Sequence, residues 1–362
     1  MPIAQVKRER MPWLVLALAA LLPSVSLAAT VTDLYSVTVP ADRAAEDPRA
    51  DAIQRAMIEV VTRVTGSRAL AQGPEIEPLL GAAARYVESF GYSTASEALV
   101  RFIPSSVERA LTDLNLPVWG VERPLTVFWI AVTDQFGDRA LVSSGEIEAG
   151  IPYGDNMRRA VETFQAEIAD ATRARGLPYV LPLLDVRDLA SVDFLDVWNF
   201  ELGVLADASA RFGADAIAVA RVRESEIGSD VAWVVRMGFD QRSLPGASLQ
   251  QGIDWLADTY AAQYASVGGA RPMLVRVTGV ADFRSYARTM SYLEDLSLLD
   301  RVDVESFRDG ELMLRIHSRG DAGVLGRVLS LGGVLRESRS FNTPTGLTSV
   351  LDLELVRNDP FR

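Results

Sequence analysis

Leu116-Pro-Val-Trp-Gly-Val-Glu-Arg-Pro124 runs directly into Leu125-Thr-Val-Phe-Trp-Ile-Ala-Val132, and the change of character at Pro124 organises the whole chain. The first half holds two prolines, a glycine and two opposite charges. The second half carries no charge, and Thr126 is its only polar side chain. An uninterrupted apolar run of this length fits a strand covered on both faces. Beyond Val132 helices and strands alternate: helix 155–175 stopped by Gly176, strand 179–184, helix 197–212, strand 214–223, an antiparallel partner 231–239 and a closing helix 249–266. The alternation predicts a central, mostly parallel α/β sheet over residues 117–268 with one antiparallel edge.

Working back from Leu116, residues 29–116 read as a small α/β module. An alternating strand over 34–39 ends at Pro40. Asp47-Pro48 then supplies a cap and a first-turn proline for a helix with Ile53, Met57, Val60 and Val64 on one face, ended by Gly66. A second helix over 75–84, strands 86–92 and 98–103, and a helix 105–114 complete it. Forward of the central region, residues 269–362 follow the order strand, helix, strand, strand, helix, strand. Asp282 and Asp321 stand as helix caps and Asp309-Gly310 as a hairpin turn. A strand near Val334 and a last one over 349–356 come after the second helix. This order predicts a ferredoxin-like module. The overall expectation is α/β and α+β. Two short stretches, Leu99–Ser105 and Leu312–Ser318, share an outline that suggests an internal duplication.

The first 28 residues have the layout of a cleavable signal peptide. Lys7, Arg8 and Arg10 precede an apolar run from Trp13 to Leu22, and small residues lead to a cleavage site after Ala28. The apolar run is about half the roughly 20 residues that span a bilayer, and no later stretch escapes charge for long enough, so no stable membrane insertion is expected. The segment carries a net charge of +2, so its loss would take the chain from −12 to −14. A surface so acidic repels phosphate backbones, which excludes nucleic acid as a partner.

Missing residue types narrow the chemistry further. There is no cysteine, hence no disulfide, thiolate nucleophile or zinc-thiolate site. Lys7 is the only lysine and departs with the signal, which removes Schiff-base and phosphate-loop chemistry. His317 is the only histidine, on a strand where it shares the wetter face with Met313 and Arg315. No cofactor, metal or catalytic residue is assigned.

The stretch Leu116 to Val132, with Val61-Thr-Arg-Val-Thr-Gly66 and Tyr86-Val87, resembles the proteobacterial family catalogued as domain of unknown function 2066. The resemblance implies a signal-bearing envelope protein of a Gram-negative bacterium and brings no site residues with it. Gly213-Ala-Asp-Ala-Ile-Ala-Val-Ala-Arg-Val222 is also similar to the helix-to-strand entry of small periplasmic α/β domains of assembly proteins, such as that of the Tol system's propeller protein.

Two groups of residues stand out. If strands 125–132 and 179–184 are parallel neighbours, Asp134, Asp185 and Arg187 gather at the carboxyl edge, where open α/β sheets bind ligands. Asp188, Asp193 and Asp196 would add acceptors there. The competing reading is that aspartates crowd such loops because they cap turns and helices. Trp119, Arg123 and Trp129 flank the junction of the first two regions and read as a domain joint, with the arginine able to stack on tryptophan. The expected function is that of a periplasmic, non-catalytic accessory or scaffold protein recognising another envelope protein. The alternative is a carboxylate-based, metal-dependent enzyme or small-ligand binder at the edge of the central sheet.

Overall fold

The structure, a computed structural model, describes residues 29–31, 33–94, 96–145, 154–226, 228–338 and 350–356. The signal peptide and its cleavage after Ala28 lie outside the described residues, as does Ser349. The protein is mixed α/β with three main sheets, one antiparallel and two mixed, plus a two-stranded ribbon.

The first region contains β1 (Ala29–Thr30), β2 (Ser36–Pro40), α1 (Pro48–Thr65), α2 (Arg68–Ala71), α3 (Glu77–Gly81), β3 (Val87–Tyr92), β4 (Glu97–Phe102) and α4 (Pro104–Asp113). Asp47 caps α1 by accepting from the Ala50 N–H, and Gly66 closes the helix in the left-handed conformation. The buried stripe Ile53, Met57, Val60, Val64 packs on Val37, Val39, Val100 and Phe102 of an antiparallel sheet ordered β2-β4-β3. The single helix expected over 75–84 is broken into a 3₁₀ turn Pro74–Ile76, α3, and a second 3₁₀ turn Ala83–Tyr86. Pro78 explains the break: lacking an N–H, it is tolerated only in the first turn of a new helix.

The central region adds β5 (Glu122–Arg123), β6 (Thr126–Thr133), β7 (Arg139–Leu141), α5 (Asp155–Arg175), β8 (Tyr179–Val180), α6 (Val186–Ser191), α7 (Phe194–Trp198), α8 (Leu202–Ser209), β9 (Ala216–Ser225), β10 (Gly228–Met237), β11 (Asp240–Pro245) and α9 (Leu249–Tyr264). Its sheet runs β11-β10-β9-β6-β7, with β8 beside the start of β6. The mostly parallel sheet expected from the alternation is not what forms. Only β6–β9 and β6–β8 are parallel, whereas β6–β7, β9–β10 and β10–β11 are antiparallel. Two local causes account for this. The strand expected over 179–184 stops after two residues, because Pro182 has no donor for a ladder and Leu184 turns to a positive φ of 53°. Asp240–Pro245, too polar and exposed to read as a strand, pairs with β10 as an added edge.

Period-two alternation along β6 sorts the two layers. Phe128, Ile130 and Val132 pack with Met157, Val161 and Ile168 of α5 and with Ile253, Leu256 and Tyr260 of α9. Val127, Trp129 and Ala131 face Val197 and Leu205 of α7 and α8. The expected helix 197–212 is divided at Phe200, whose φ is 60°.

The third region holds β12 (Arg271–Thr278), α10 (Phe283–Glu294), β13 (Leu299–Arg308), β14 (Glu311–Ser318), α11 (Ala322–Ser330), β15 (Leu335–Glu337) and β16 (Val350–Leu355). Asp282 and Asp321 cap the two helices, and Asp309 and Gly310 both turn to positive φ in the β13–β14 hairpin. The sheet order is β13-β14-β12-β16-β15. It departs from the ferredoxin-like expectation at its far edge: β15 is the outermost strand, and β16 inserts beside β12, parallel to it. Among the described residues no helix is long and apolar enough to cross a membrane.

Candidate functional site

The segment 116–123 touches all three regions, and its charged side chains are deeply buried. Arg123 is fully buried, yet among the described residues no carboxylate pairs with it. Its five N–H donors go to main-chain carbonyls instead: Nε to Gly120 (2.9 Å), Nη1 to Arg175 (3.2 Å) and Gly176 (3.0 Å), Nη2 to Arg63 (2.7 Å) and Trp119 (3.1 Å). Arg63 and Arg175 lie in the last turns of α1 and α5, where carbonyls have no partner within the helix and the dipole is negative. Arg123 therefore caps two helices from two regions at once. Its guanidinium carbon sits 4.0 Å from the Trp119 ring centroid, adding a cation–π contact. Burial pulls its pKa down to about 9.

The neighbours complete the clasp. The Trp119 N–H donates to the Val64 carbonyl (2.7 Å), and Val118 exchanges two main-chain bonds with Ser266 after α9. Buried Arg175 donates to Asp254 (2.7 Å) and Asp258 of α9 and to the Gly66 carbonyl (2.8 Å). Gly66 is required there: a Cβ would lie 2.3 Å from the Ala261 Cβ, and φ is +69°. On the other side Glu122 accepts from the Ser297 N–H (2.7 Å) and Oγ (2.6 Å). Glu108 of α4 accepts from the Tyr35 hydroxyl (2.6 Å) and from Arg319 (2.8 Å), which also donates to the Ser297 carbonyl. Burial, then the nearby Glu108 charge, pushes the Tyr35 pKa well above the ordinary phenol value.

Of the three residues expected at this junction, Trp119 and Arg123 are stacked together. Trp129 stands apart on the opposite face of the sheet, donating from Nε1 to Ser209 Oγ at 2.9 Å. As an odd-numbered residue of β6 it must point toward α7 and α8. Sequence reasoning misses Glu122, Arg175, Arg63 and Arg319. Each reads alone as an ordinary strand, helix-end or loop charge, and only partners far away in sequence reveal its role.

The carboxyl-edge aspartates are engaged locally. Asp134 Oδ1 accepts from the Phe136 and Asp138 N–H groups, closing the β6–β7 turn. Asp185 caps α6 through the Arg187 and Asp188 N–H groups and pairs with Arg211 at 2.8 Å, which holds its carboxyl below the ordinary range. Asp188 is buried, bound to Arg211 and to the Leu184 N–H. Asp193 and Asp196 form a reciprocal capping box on α7. Arg187 is exposed beside a groove of about 310 Å³ between α6 and α8. Asp134 and the Asp185–Arg187 group thus bond to separate partners, and among the described residues no three Asp, Glu, His or Cys side chains are grouped to hold a metal ion.

A different set occupies that edge. On the Trp129 face, the register places Arg139 of β7, Thr133 of β6 and Arg223 of β9 side by side, with Arg221 one step back along β9. Arg139 lies over Phe194 (5.4 Å), Arg223 over Trp198 (5.6 Å), and Arg221 over both Trp198 (5.9 Å) and Phe200 (5.3 Å). The Arg221-Val222-Arg223 alternation is the signal in the sequence that could have found them.

Over residues 28–120 the chain is similar to a domain of unknown function catalogued as DUF8605. This corrects the resemblance to family 2066: the family model that matches is a different one, and it ends at Gly120, inside the stretch Leu116 to Val132 and short of its apolar strand. A buried strand rich in Val, Ile and Phe recurs in many folds and identifies none. No curated protein and no solved structure matches the chain.

Proposed function

We propose that the protein is exported to the periplasm and serves there as a non-catalytic accessory or scaffold protein that recognises another protein of the cell envelope. One observation carries this reading: the charged groups that chemistry would need are already committed to structure. Asp185, Asp188, Asp193 and Asp196 are spent on turns, helix caps and the Arg211 pair, and Asp134 gives Oδ1 to its turn while Oδ2 stays buried without a described partner. Arg123, Arg175 and Glu122 are spent on joining three regions. An inflexible joint favours a body that presents a surface rather than one that closes around a substrate.

The test is photocrosslinking in intact cells, since an exported chain without lysine leaves amine-reactive reagents only its N-terminus. Photoreactive residues at exposed positions on each region, such as Tyr92, Leu195 and Phe283, are expected to give one discrete protein adduct in the periplasmic fraction, with Ala29 as the N-terminus. Intact Met1 in a cytoplasmic fraction, or no adduct from any region, would overturn the proposal.

A further inference from the structure

Arg139, Arg221 and Arg223 are exposed, and their guanidinium groups make no ion pair or hydrogen bond with any described residue. The carboxylates nearest by register, Asp230 opposite Arg223 and Asp138 beside Arg139, do not pair with them. Each guanidinium lies within cation–π range of an aromatic ring, 5.3–5.9 Å from its centroid, and keeps its N–H donors available for an acidic acceptor. All three lie at the carboxyl ends of the parallel pair β6 and β9, the place where α/β sheets bind ligands.

Spacing selects the ligand. Arg221 and Arg223 are alternate residues of one strand, roughly 7 Å apart, and Arg139 lies two strands over from Arg223, roughly 10 Å away. Arginine side chains are long enough for two neighbours to share one small anion, but engaging all three across the edge takes several linked acceptors. Alternate carboxylates of an extended polypeptide repeat at the same roughly 7 Å. We propose that this edge binds an extended acidic segment of a partner protein, whose alternating carboxylates pair with Arg221 and Arg223 while Arg139 adds positive charge beside them. The inference rests on the scaffold reading and names the chemistry of its partner. The chain's net charge of −12 opposes an acidic partner at long range, so the complex depends on contact pairing rather than on steering.

The experiment uses the purified protein and a fluorescein-labelled peptide alternating Glu and Thr, followed by anisotropy. Binding is expected, weakened about tenfold by replacing Glu with Gln in the peptide or by Arg221→Gln/Arg223→Gln in the protein, and reduced by Arg139→Gln on its own strand. Arg187→Gln, on the neighbouring α6, is expected to bind like the unaltered protein, and circular dichroism checks that each variant is folded. Equal binding by the double variant would overturn the proposal, as would stronger displacement by inorganic polyphosphate than by unlabelled peptide, which would reassign the edge to phosphate. Failure here alongside a discrete crosslinked adduct in cells removes this surface and leaves the scaffold reading standing.

Discussion

The joint around Arg123 and the sheet edge around Arg223 use the same side chain in opposite ways. At the joint the guanidinium is buried, all five donors are taken by fixed carbonyls, and two helix ends lose their caps if it goes. At the edge the arginine is exposed, with its guanidinium 5.6 Å from the Trp198 ring centroid and no described acceptor bonded to it. Placement and satisfaction, not residue type, separate an arginine that holds a fold from one available to a partner.

The strongest way to break that contrast is Arg123→Leu. Removing the donors orphans buried carbonyls in both α1 and α5, and the expected loss is about 4 kcal/mol, read as a lowered denaturation midpoint. Arg123→Lys should recover only part of it, since an ammonium offers three donors to a five-acceptor cage. Next comes Gly176→Ala. A Cβ at that position would lie 2.6 Å from Leu34 Cδ2 and 2.8 Å from Arg123 Nη1, at a φ of +63°. Strain and overpacking together predict about 3 kcal/mol. A loss below about 1 kcal/mol for either variant would mean that the joint is looser than its hydrogen bonds imply.

Alkaline pH probes the same region. Burial raises the pKa values of Tyr35, Tyr260 and Tyr292 above the ordinary value of 10.0. Below that value the phenols are neutral folded or unfolded, and the stability they contribute is intact. Above it the unfolded chain ionises first, so stability falls by up to about 1.4 kcal/mol per pH unit for each tyrosine. Arg123 works the other way: its folded value of about 9 lies below the ordinary 12.5, so between them the unfolded chain holds the extra proton and stability rises. Tyr264 and Tyr179 are raised as well and Arg63 is lowered with Arg123, so the shifted tyrosines outnumber the shifted arginines and stability falls on balance between about pH 10 and 11, measurable by urea denaturation. Tyr35→Phe should lessen that slope, at a cost near neutrality of about 1 kcal/mol for the lost Glu108 bond.

The legible parts of the fold are those written within a few residues. Asp47 and Gly66 bound α1, Asp282 and Asp321 start their helices, and Asp309-Gly310 makes its hairpin, because each depends on local backbone chemistry. Strand partnership is not local. Nothing near Val350 specifies insertion beside Leu274, and nothing in Asp240–Pro245 announces a strand until β10 offers it an edge. The site obeys the same rule. Trp119 beside Arg123 is readable from a four-residue spacing, whereas Arg175 meets Asp254 across 79 positions and Glu122 meets Ser297 across 175.

The smallest expected effect sharpens the comparison most. Arg139→Gln and Arg223→Gln each remove one cation–π contact, Arg221→Gln removes two, and none removes an ion pair with a described residue, which predicts losses of about 0.5–1 kcal/mol at most. Arg139 and Arg223 sit across Thr133 in a single row, and like charges side by side on a sheet repel. Neutralising one relieves the other, which brings the net change in denaturation midpoint close to zero. The relief is electrostatic, so it should shrink as salt rises, uncovering the small loss of stacking. A variant that unfolds several kcal/mol sooner, in the manner of Arg123→Leu, would place these arginines with the joint. A near-silent stability profile leaves the row costing the folded chain repulsion without return, as expected of side chains held ready for an outside acceptor.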